Sequence, residues 1–186
     1  MFEAKLAFIG CGNMGQCLIG GLIQDGYAAE NINVADPDAA RLDQSRLSPG
    51  VKGTHDNLEA AAGADIIVLA VKPQMMESVV TELAELVDRQ NSLVISIAAG
   101  IGTKHLCHWL SGSAAIVRVM PNTPALVKSG AAALYATPAV SDEQRDMAES
   151  IMRSTGLTLW LQDEAQMDAV TALSGSGPAY YFLVME

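Results

Sequence analysis

The stretch Leu6–Gly15, which reads LAFIGCGNMG, contains the pattern that decides the fold. A short apolar run breaks into glycines spaced Gly10-x-Gly12-x-x-Gly15, and apolar residues then recur at helical spacing as far as Ile23. In a strand, turn and helix of this kind, the first glycine permits the tight turn and the second leaves room for a pyrophosphate. The third glycine lets the helix pack close to the strand. We therefore predict that a dinucleotide binds at Gly10, Cys11, Gly12, Asn13, Met14 and Gly15.

The rest of the chain alternates between strand-like and helix-like segments as far as Gln162. Apolar runs at 65–71 and 93–98 indicate strands that are covered by helices on both faces. We predict an α/β fold with an open, doubly wound parallel sheet of the Rossmann type, in which residues 1–162 form the dinucleotide-binding domain. A polar helix is expected over 38–47. From residue 163 helix follows helix, so 163–186 is predicted to begin a second, helical domain.

Composition excludes several classes of function. The 186 residues carry a net charge of −10, which argues against a nucleic-acid surface. No apolar run reaches the roughly 18 residues that a membrane span needs, and the first residues do not resemble a signal peptide. Three cysteines without CxxC spacing suggest reduced thiols in the cytoplasm. His105, Cys107 and His108 do not complete a metal site, so we predict no metal and no nucleic-acid or membrane partner.

Asp36 ends the second predicted strand. An acidic side chain at this position usually accepts hydrogen bonds from the adenosine ribose hydroxyls and repels a 2′-phosphate. Asp36 therefore favours NADH over NADPH. The alternative is that Asp36 only makes a turn with Pro37.

Other predicted strand ends should line the same crevice. Lys72 is placed to face a phosphate or ribose hydroxyl, although a solvated strand end is the plainer interpretation. Small residues from Ala98 to Gly100 would let a flat nicotinamide ring lie against the backbone. Asn122 lies between two prolines in a rigid polar loop, which suits holding a carboxamide or substrate but also suits a simple turn. The candidate cofactor residues at these strand ends are Ala70, Val71, Lys72, Pro73, Ala98, Gly100 and Asn122.

Five stretches together resemble the pyrroline-5-carboxylate reductase family: FIGCGNMG, AVKP, SIAAGI, RVMPNTP and DAVTALSGSGPAYYF. The last of these is the most specific, whereas the first is shared with many dehydrogenases. The resemblance implies a two-domain oxidoreductase of proline biosynthesis. Such an enzyme reduces L-1-pyrroline-5-carboxylate to L-proline by hydride transfer from NADPH or NADH to the ring C=N bond.

The resemblance also implies residue roles. It places Asn57 along the cofactor and Met120 near the nicotinamide. Members often carry Ser, Thr or Arg near Asp36, so Asp36 weakens the expectation of strict NADPH use. Residues 174–178 would begin the helix that pairs with another subunit, which implies a homodimer or larger oligomer. The substrate-binding candidates are Glu164, Ser174 and Gly175, with Glu164 equally suited to be a plain first-turn acid of its own helix.

Family members are longer, and the threonine thought to donate the proton in the family has no counterpart before Glu186. No catalytic acid is therefore assigned, and we expect a truncated chain that binds cofactor but is nearly inactive. Two alternatives stay open. One is a reductase of the β-hydroxyacid dehydrogenase type, although its catalytic lysine motif is not seen. The other is a non-catalytic dinucleotide-binding protein.

Overall fold

An eight-stranded sheet forms the centre of the computed structural model, which describes residues 3–43, 47–112 and 114–186. The order across the sheet is β3-β2-β1-β4-β5-β6-β7-β8, and every neighbouring pair is parallel except β6 and β7. The strands are β1 Leu6–Ile9, β2 Ile32–Ala35, β3 Lys52–Thr54, β4 Ile66–Leu69, β5 Leu93–Ser96, β6 Ile116–Met120, β7 Gly130–Ala136 and β8 Gly156–Trp160.

Helices cover both faces of this sheet. Leu18 of α1 and Ile151 of α5 pack with Phe8 in one apolar cluster. Leu83 of α3 packs in a second cluster on the opposite face, together with Ile9 of β1. This arrangement confirms the predicted doubly wound α/β fold. The helices are α1 Asn13–Gln24, α2 Asn57–Ala61, α3 Met76–Gln90, α4 Thr103–Trp109, α5 Asp142–Arg153, α6 Gln166–Val170 and α7 Gly177–Met185.

The strand order reverses at β1. From β1 the chain moves outward through β2 and β3, and β4 then pairs with the other side of β1. At such a switch point the loops after the two central strands separate and leave a crevice at the carboxyl edge of the sheet. The loops that follow β1 and β4 carry Gly10 and Ala70, so the fold positions the predicted site at this crevice.

Two predictions of local structure are wrong. The sheet is not wholly parallel, because the connection from Met120 to Gly130 is too short for a crossover helix and β7 therefore returns antiparallel to β6.

The helix predicted over 38–47 is the second. Residues 38–43 form turns instead, while 44–46 of that prediction lie outside the described residues. Here the carboxylates of Asp36 and Asp38 accept hydrogen bonds from backbone N–H groups two residues on, which competes with helix formation.

The chain after β8 is helical. Asp163 accepts a hydrogen bond from the backbone N–H of Ala165, and α6 begins just after this turn, at Gln166. A π-helical turn at Thr171–Gly175 links α6 to α7, and Pro178 lies in the first turn of α7 as expected. The apolar side chains of α7 from Tyr180 to Met185 are exposed. Among the described helices, none combines the length and the apolar character that crossing a membrane requires.

Candidate functional site

The turn after β1 is built so closely that side chains are excluded at two positions. Gly10 has φ +100°, and its N–H donates to the carbonyl of Ala35 at 2.8 Å. A Cβ on Gly10 would lie 2.7 Å from the carbonyl oxygen of Ala70, and a Cβ on Gly15 would lie 2.7 Å from that of Gly10. The first and third glycines therefore hold β1, β4 and α1 in close contact, as the spacing predicts.

The middle glycine of the turn faces open space. Apart from its own chain neighbours, no atom of residues 3–43, 47–112 and 114–186 lies within 4 Å of the position where a Cβ on Gly12 would stand. Gly12 also precedes α1, and no side chain caps this helix or supplies an acid to its first turn (residues 13–24 are all described). The free N–H groups and the positive end of the helix dipole therefore face an open cradle, which fits the pyrophosphate of a dinucleotide. Asn13 is exposed there and Met14 is half-buried.

Asp36 is 2% exposed and is engaged on both oxygens. Its Oδ2 accepts from the backbone N–H of Cys11 at 2.7 Å and lies 3.2 Å from the guanidinium of Arg41. Its Oδ1 accepts from the N–H of Asp38 at 2.9 Å. The carboxylate thus ties the glycine turn to the end of β2, a role that the sequence did not reveal. Asp36 also makes a turn with Pro37 through the hydrogen bond from Asp38, as the alternative interpretation of this residue predicts.

Cys11 and Arg41 complete this corner of the site. The thiol of Cys11 is buried and donates to the carbonyl of Arg41 at 3.6 Å. Burial is the main cause that raises the pKa of the Cys11 thiol, so it stays protonated and acts as a small packing residue. Arg41 is half-exposed, with its Nε 3.5 Å from Asp38 Oδ2. One guanidinium is therefore shared between the carboxylates of Asp36 and Asp38.

Asn57 begins α2 at the same edge of the sheet. Its amide donates to the carboxylate of Glu82 on α3 at 2.9 Å, so it links two helices beside the crevice. On the neighbouring turn, Nδ1 of His55 lies 2.9 Å from the carbonyl oxygen of Asp36. The structure therefore places His55, which was not predicted, in direct contact with the backbone of Asp36, whereas Asn57 contacts Glu82.

The loop after β4 lies against the glycine turn. Ala70 donates its N–H to the carbonyl of Ile9 at 2.8 Å, and its Cβ lies 3.6 Å from the Cβ position of Gly15. Val71 is half-buried beside it, whereas Lys72 and Pro73 are exposed at the start of a short 3₁₀ turn. The four predicted residues of this loop thus lie at the carboxyl edge, with Ala70 in direct contact with the turn.

The loop after β5 joins the same edge. Ala98 is buried, while Gly100 is exposed with φ +77°, a conformation that favours glycine. The loop leads into α4, and Gly102 before that helix makes no side-chain cap. Ala98 and Gly100 therefore lie in the loop at the end of β5, and their contact with a nicotinamide remains a prediction, while the support for α4 comes from elsewhere in the chain.

Glu164 supplies that support. Its carboxylate accepts from the N–H of Thr103 at 2.7 Å, from the hydroxyl of Thr103 at 2.5 Å and from the guanidinium of Arg118 at 2.9 Å. Burial disfavours the charged form, but these hydrogen bonds outweigh it and lower the pKa of Glu164. Glu164 was predicted as a substrate ligand or as an acid of its own helix. The structure instead places its carboxylate at the start of a different helix, α4.

The end of β6 meets the π-helical turn. Asn122 accepts from the N–H of Ala131 at 2.9 Å and donates its amide to the hydroxyl of Ser174 at 3.1 Å. A side chain on Gly175 would collide with the terminal methyl of Met120. The structure thus brings two nicotinamide candidates, Met120 and Asn122, against two substrate candidates, Ser174 and Gly175. Turns of the π type are frequently found at functional sites.

Sequence reasoning missed Thr103 and Arg118. Arg118 is 7% exposed, and its charge lies inside the otherwise apolar strand IVRVM. A buried charge needs a partner, so this arginine was a signal that an acid from another segment must approach β6. Thr103 gave no comparable signal, because a threonine at the start of a helix is common.

Strand order, glycine turn and strand-end loops together define a class: a doubly wound α/β domain with a dinucleotide-type turn at its switch point. Comparison with known families agrees with this class. Residues 5–100 match the family described as NADP oxidoreductase coenzyme F420-dependent. Residues 164–186 match the family described as pyrroline-5-carboxylate reductase dimerisation.

Individual relatives identify the family. The pyrroline-5-carboxylate reductase of Pseudomonas aeruginosa is 46% identical over 186 residues, covering 100% of this chain and 68% of that protein. The solved structure of such a reductase from Coxiella burnetii has a TM-score of 0.93 at 42% identity, over 99% of this chain and 68% of that one. The Plasmodium falciparum enzyme, solved with NADP bound, has a TM-score of 0.86 at 32% identity, over 99% and 67% of the two chains.

The chain therefore belongs to the pyrroline-5-carboxylate reductase family of NAD(P)H-dependent oxidoreductases. This result confirms the family predicted from the motifs. The β-hydroxyacid dehydrogenase type shares the fold: a 3-hydroxyisobutyrate dehydrogenase from Mycobacterium tuberculosis superposes with a TM-score of 0.68, but at only 16% identity.

Proposed function

We propose that this chain binds a nicotinamide dinucleotide along the carboxyl edge of β1, β2, β4, β5 and β6 and serves the reduction of L-1-pyrroline-5-carboxylate to L-proline. The observation that carries the proposal is the open cradle at Gly12, between two glycines whose positions exclude side chains. Family membership supports the chemistry, since the relatives are named for this reduction. The bound cofactor would supply a hydride to the ring C=N bond, and the chain would bind, orient and exclude water.

Residue roles follow from place along the crevice. The backbone of 10–15 would hold the pyrophosphate, and the end of β2 with Asn57 would lie at the adenosine side. Residues 70–73 would line the middle of the cofactor.

At the other end of the crevice, the nicotinamide would be faced by Ala98, Gly100, Met120 and Asn122. Ser174 and Gly175 would border the substrate. In this arrangement 1–162 is the dinucleotide-binding domain and 163–186 begins the dimerisation and substrate domain.

We infer that NADH binds better than NADPH. Among the residues of this corner that the structure describes, two carboxylates, Asp36 and Asp38, share the guanidinium of Arg41, which leaves these three side chains with a net negative charge. A 2′-phosphate placed beside it would be repelled, and it would compete with both carboxylates for the same arginine. Because Asp36 is already engaged by Cys11 and Arg41, its effect on the cofactor is mainly this charge.

Among the described residues, protein lines only one face of the proposed substrate site. Ser174 and Gly175 contact the end of β6, but the neighbouring helix α7 has exposed apolar side chains such as Tyr181 and Leu183. A run of exposed apolar side chains such as that from Tyr180 to Met185 is typical of an interface, and a second copy of the protein is the partner that the match to a dimerisation family supports. We infer that residues 1–186 alone bind cofactor but turn over pyrroline-5-carboxylate very slowly. The cytoplasm fits the three free cysteines, all of which lie in the described part of the chain.

Titration of the chain with NADH and NADPH, followed by a steady-state assay with pyrroline-5-carboxylate, tests these proposals. NADH should bind more tightly, and turnover should fall far below an ordinary enzyme rate of about 10 per second. Asp38→Asn should improve NADPH affinity about 3-fold relative to NADH by freeing Arg41, and Arg41→Ala in the same chain should remove that gain. Tighter binding of NADPH to the unmodified chain would contradict the preference, and no binding of either would contradict the function.

A further inference from the structure

The contacts of Glu164 join two parts of the molecule that are distant in sequence. The residue stands 61 positions after Thr103 and 46 after Arg118, yet its carboxylate bonds to both side chains. Its Oε1 accepts from the N–H of Thr103 and from Arg118, and its Oε2 accepts from the hydroxyl of Thr103. Both oxygens are thus engaged within the chain, which leaves Glu164 poorly suited to bind a substrate.

The contacts of Glu164 lie at one end of the loop 97–102, which borders the proposed cofactor site. The segment from Ile97 to Gly102 leaves the end of β5, carries the exposed turn at Ala99 and Gly100, and enters α4 at Thr103. Its first end is held by the sheet, where the N–H of Ile97 donates to the carbonyl of Leu69 at 3.2 Å. Its second end is held by Glu164, whose carboxylate accepts from the N–H and the hydroxyl of Thr103, while Gly102, which precedes α4 in the described segment 47–112, supplies no side-chain cap.

Arg118 fixes the position from which the Glu164 carboxylate holds the start of α4. It extends from a buried position on β6 and shares Glu164 Oε1 with the N–H of Thr103. A half-buried carboxylate held by an arginine and two further donors has one preferred geometry, since losing any donor leaves a partly desolvated group unpaired. The start of α4 is therefore set relative to β6, whose end carries Met120 and Asn122.

We propose that Glu164 is a positioning residue, not a substrate ligand, and that it fixes the loop 97–102 in the geometry that receives the nicotinamide. The inference rests on the proposed function, because it assumes that the nicotinamide lies against Ala98 and Gly100. Residue 164 is also the first residue of the segment that matches the dimerisation family. The same contact therefore ties the beginning of the helical domain to the cofactor loop.

The test compares NADH with ADP-ribose, which lacks the nicotinamide. Glu164→Gln should weaken NADH binding about 5- to 10-fold, the loss expected for the net contribution of one ordinary hydrogen bond. The affinity for ADP-ribose should stay unchanged. Amide hydrogen exchange should accelerate in residues 99–106. Thr103→Val should reproduce the effect on NADH, and Thr103→Ser, which keeps the hydroxyl, should restore it.

Glu149→Gln is the matched control. Glu149 also holds three donors, from Arg153 at 2.9 Å, Thr158 at 3.1 Å and Trp160 at 2.7 Å, but it links α5 to β8 away from the cofactor loop. It should lower thermal stability without changing the ratio of NADH to ADP-ribose affinity.

Equal ratios in the unmodified chain and Glu164→Gln would overturn the positioning role while leaving the proposed function standing. A chain that binds neither ligand would overturn the proposed function and this inference with it.

Discussion

Two glycine-containing turns each begin a helix, one at 10–15 and the other at 171–177, and their surroundings differ. At the first turn, a side chain on Gly10 or Gly15 would meet backbone atoms at 2.7 Å, and the helix that follows packs into the core. At the second, no atom of the described residues beyond its own helix and chain neighbours lies within 4 Å of the Cβ position of Gly177, and the helix that follows is exposed. The difference shows that the first turn is completed within this chain, whereas the second turn has contacts on one side only.

Gly15→Ala should have the largest effect on the first turn. The added methyl would meet the carbonyl oxygen of Gly10, which is backbone and cannot move aside alone. We expect the free energy of unfolding to fall by about 3 kcal/mol and dinucleotide binding to be lost, measured by urea denaturation and by NADH titration. Gly20→Ala in the same helix is the control, since no atom lies within 4 Å there. Unchanged stability in Gly15→Ala would mean that α1 does not pack as described.

Low pH should weaken the contacts that Glu164, which precedes the second turn in the chain, makes with Thr103 of α4 and Arg118 of β6. The pKa of Glu164 is lowered from 4.5 because hydrogen bonds from Thr103 and Arg118 outweigh the effect of burial. A carboxyl whose pKa is lower in the folded state stabilises the fold above its unfolded pKa, and this stabilisation is lost as pH falls through the folded value. Thermal stability should therefore drop below pH 4.5 in the unmodified chain and drop less in Glu164→Gln. Identical pH profiles for the two proteins would contradict the contact.

Gly177→Ala should have the smallest effect. The position is open, and alanine favours a helix more than glycine does, so we expect a change in unfolding free energy within about 1 kcal/mol, in the stabilising direction. The measurement is the same urea denaturation that is used for Gly15→Ala. A loss comparable to that of Gly15→Ala would show that the second turn is packed as tightly as the first, and the comparison between them would fail.

The first turn could be predicted from the sequence because its information is local. Strand, glycine spacing and helix lie within Leu6–Gln24, and the spacing alone implies the close approaches that the structure contains. Strand direction at β7 was not predictable in this way, because it depends on which neighbour the strand pairs with. The contact of Glu164 with Thr103 joins residues 61 apart, and nothing in the local pattern of either residue indicates the other.

Asp36 differs from both turns, because its position could be predicted but its hydrogen-bond partner could not. The sequence placed it correctly at the end of β2, and the ribose role predicted for it remains a prediction. Its buried hydrogen bond to the N–H of Cys11, 25 residues away, depends on how β1 and β2 pair and could not be read from spacing. Residues at the ends of strands are thus predictable in position, whereas their partners depend on the assembled sheet.

The most direct test of the account is Gly12→Val. The backbone of Gly12, at φ −73° and ψ −176°, accepts an L side chain, and in the part of the chain that the structure describes no atom beyond its chain neighbours lies within 4 Å of its Cβ position. Valine should therefore leave the protein folded, with a loss of unfolding free energy of no more than about 1 kcal/mol because valine is a poorer N-cap residue than glycine, while its methyl groups fill the cradle proposed for the pyrophosphate. We predict that NADH affinity, measured by calorimetric titration, falls at least about 30-fold, corresponding to roughly 2 kcal/mol of lost contacts. Unchanged NADH affinity in a folded Gly12→Val protein would contradict the proposed placement of the cofactor.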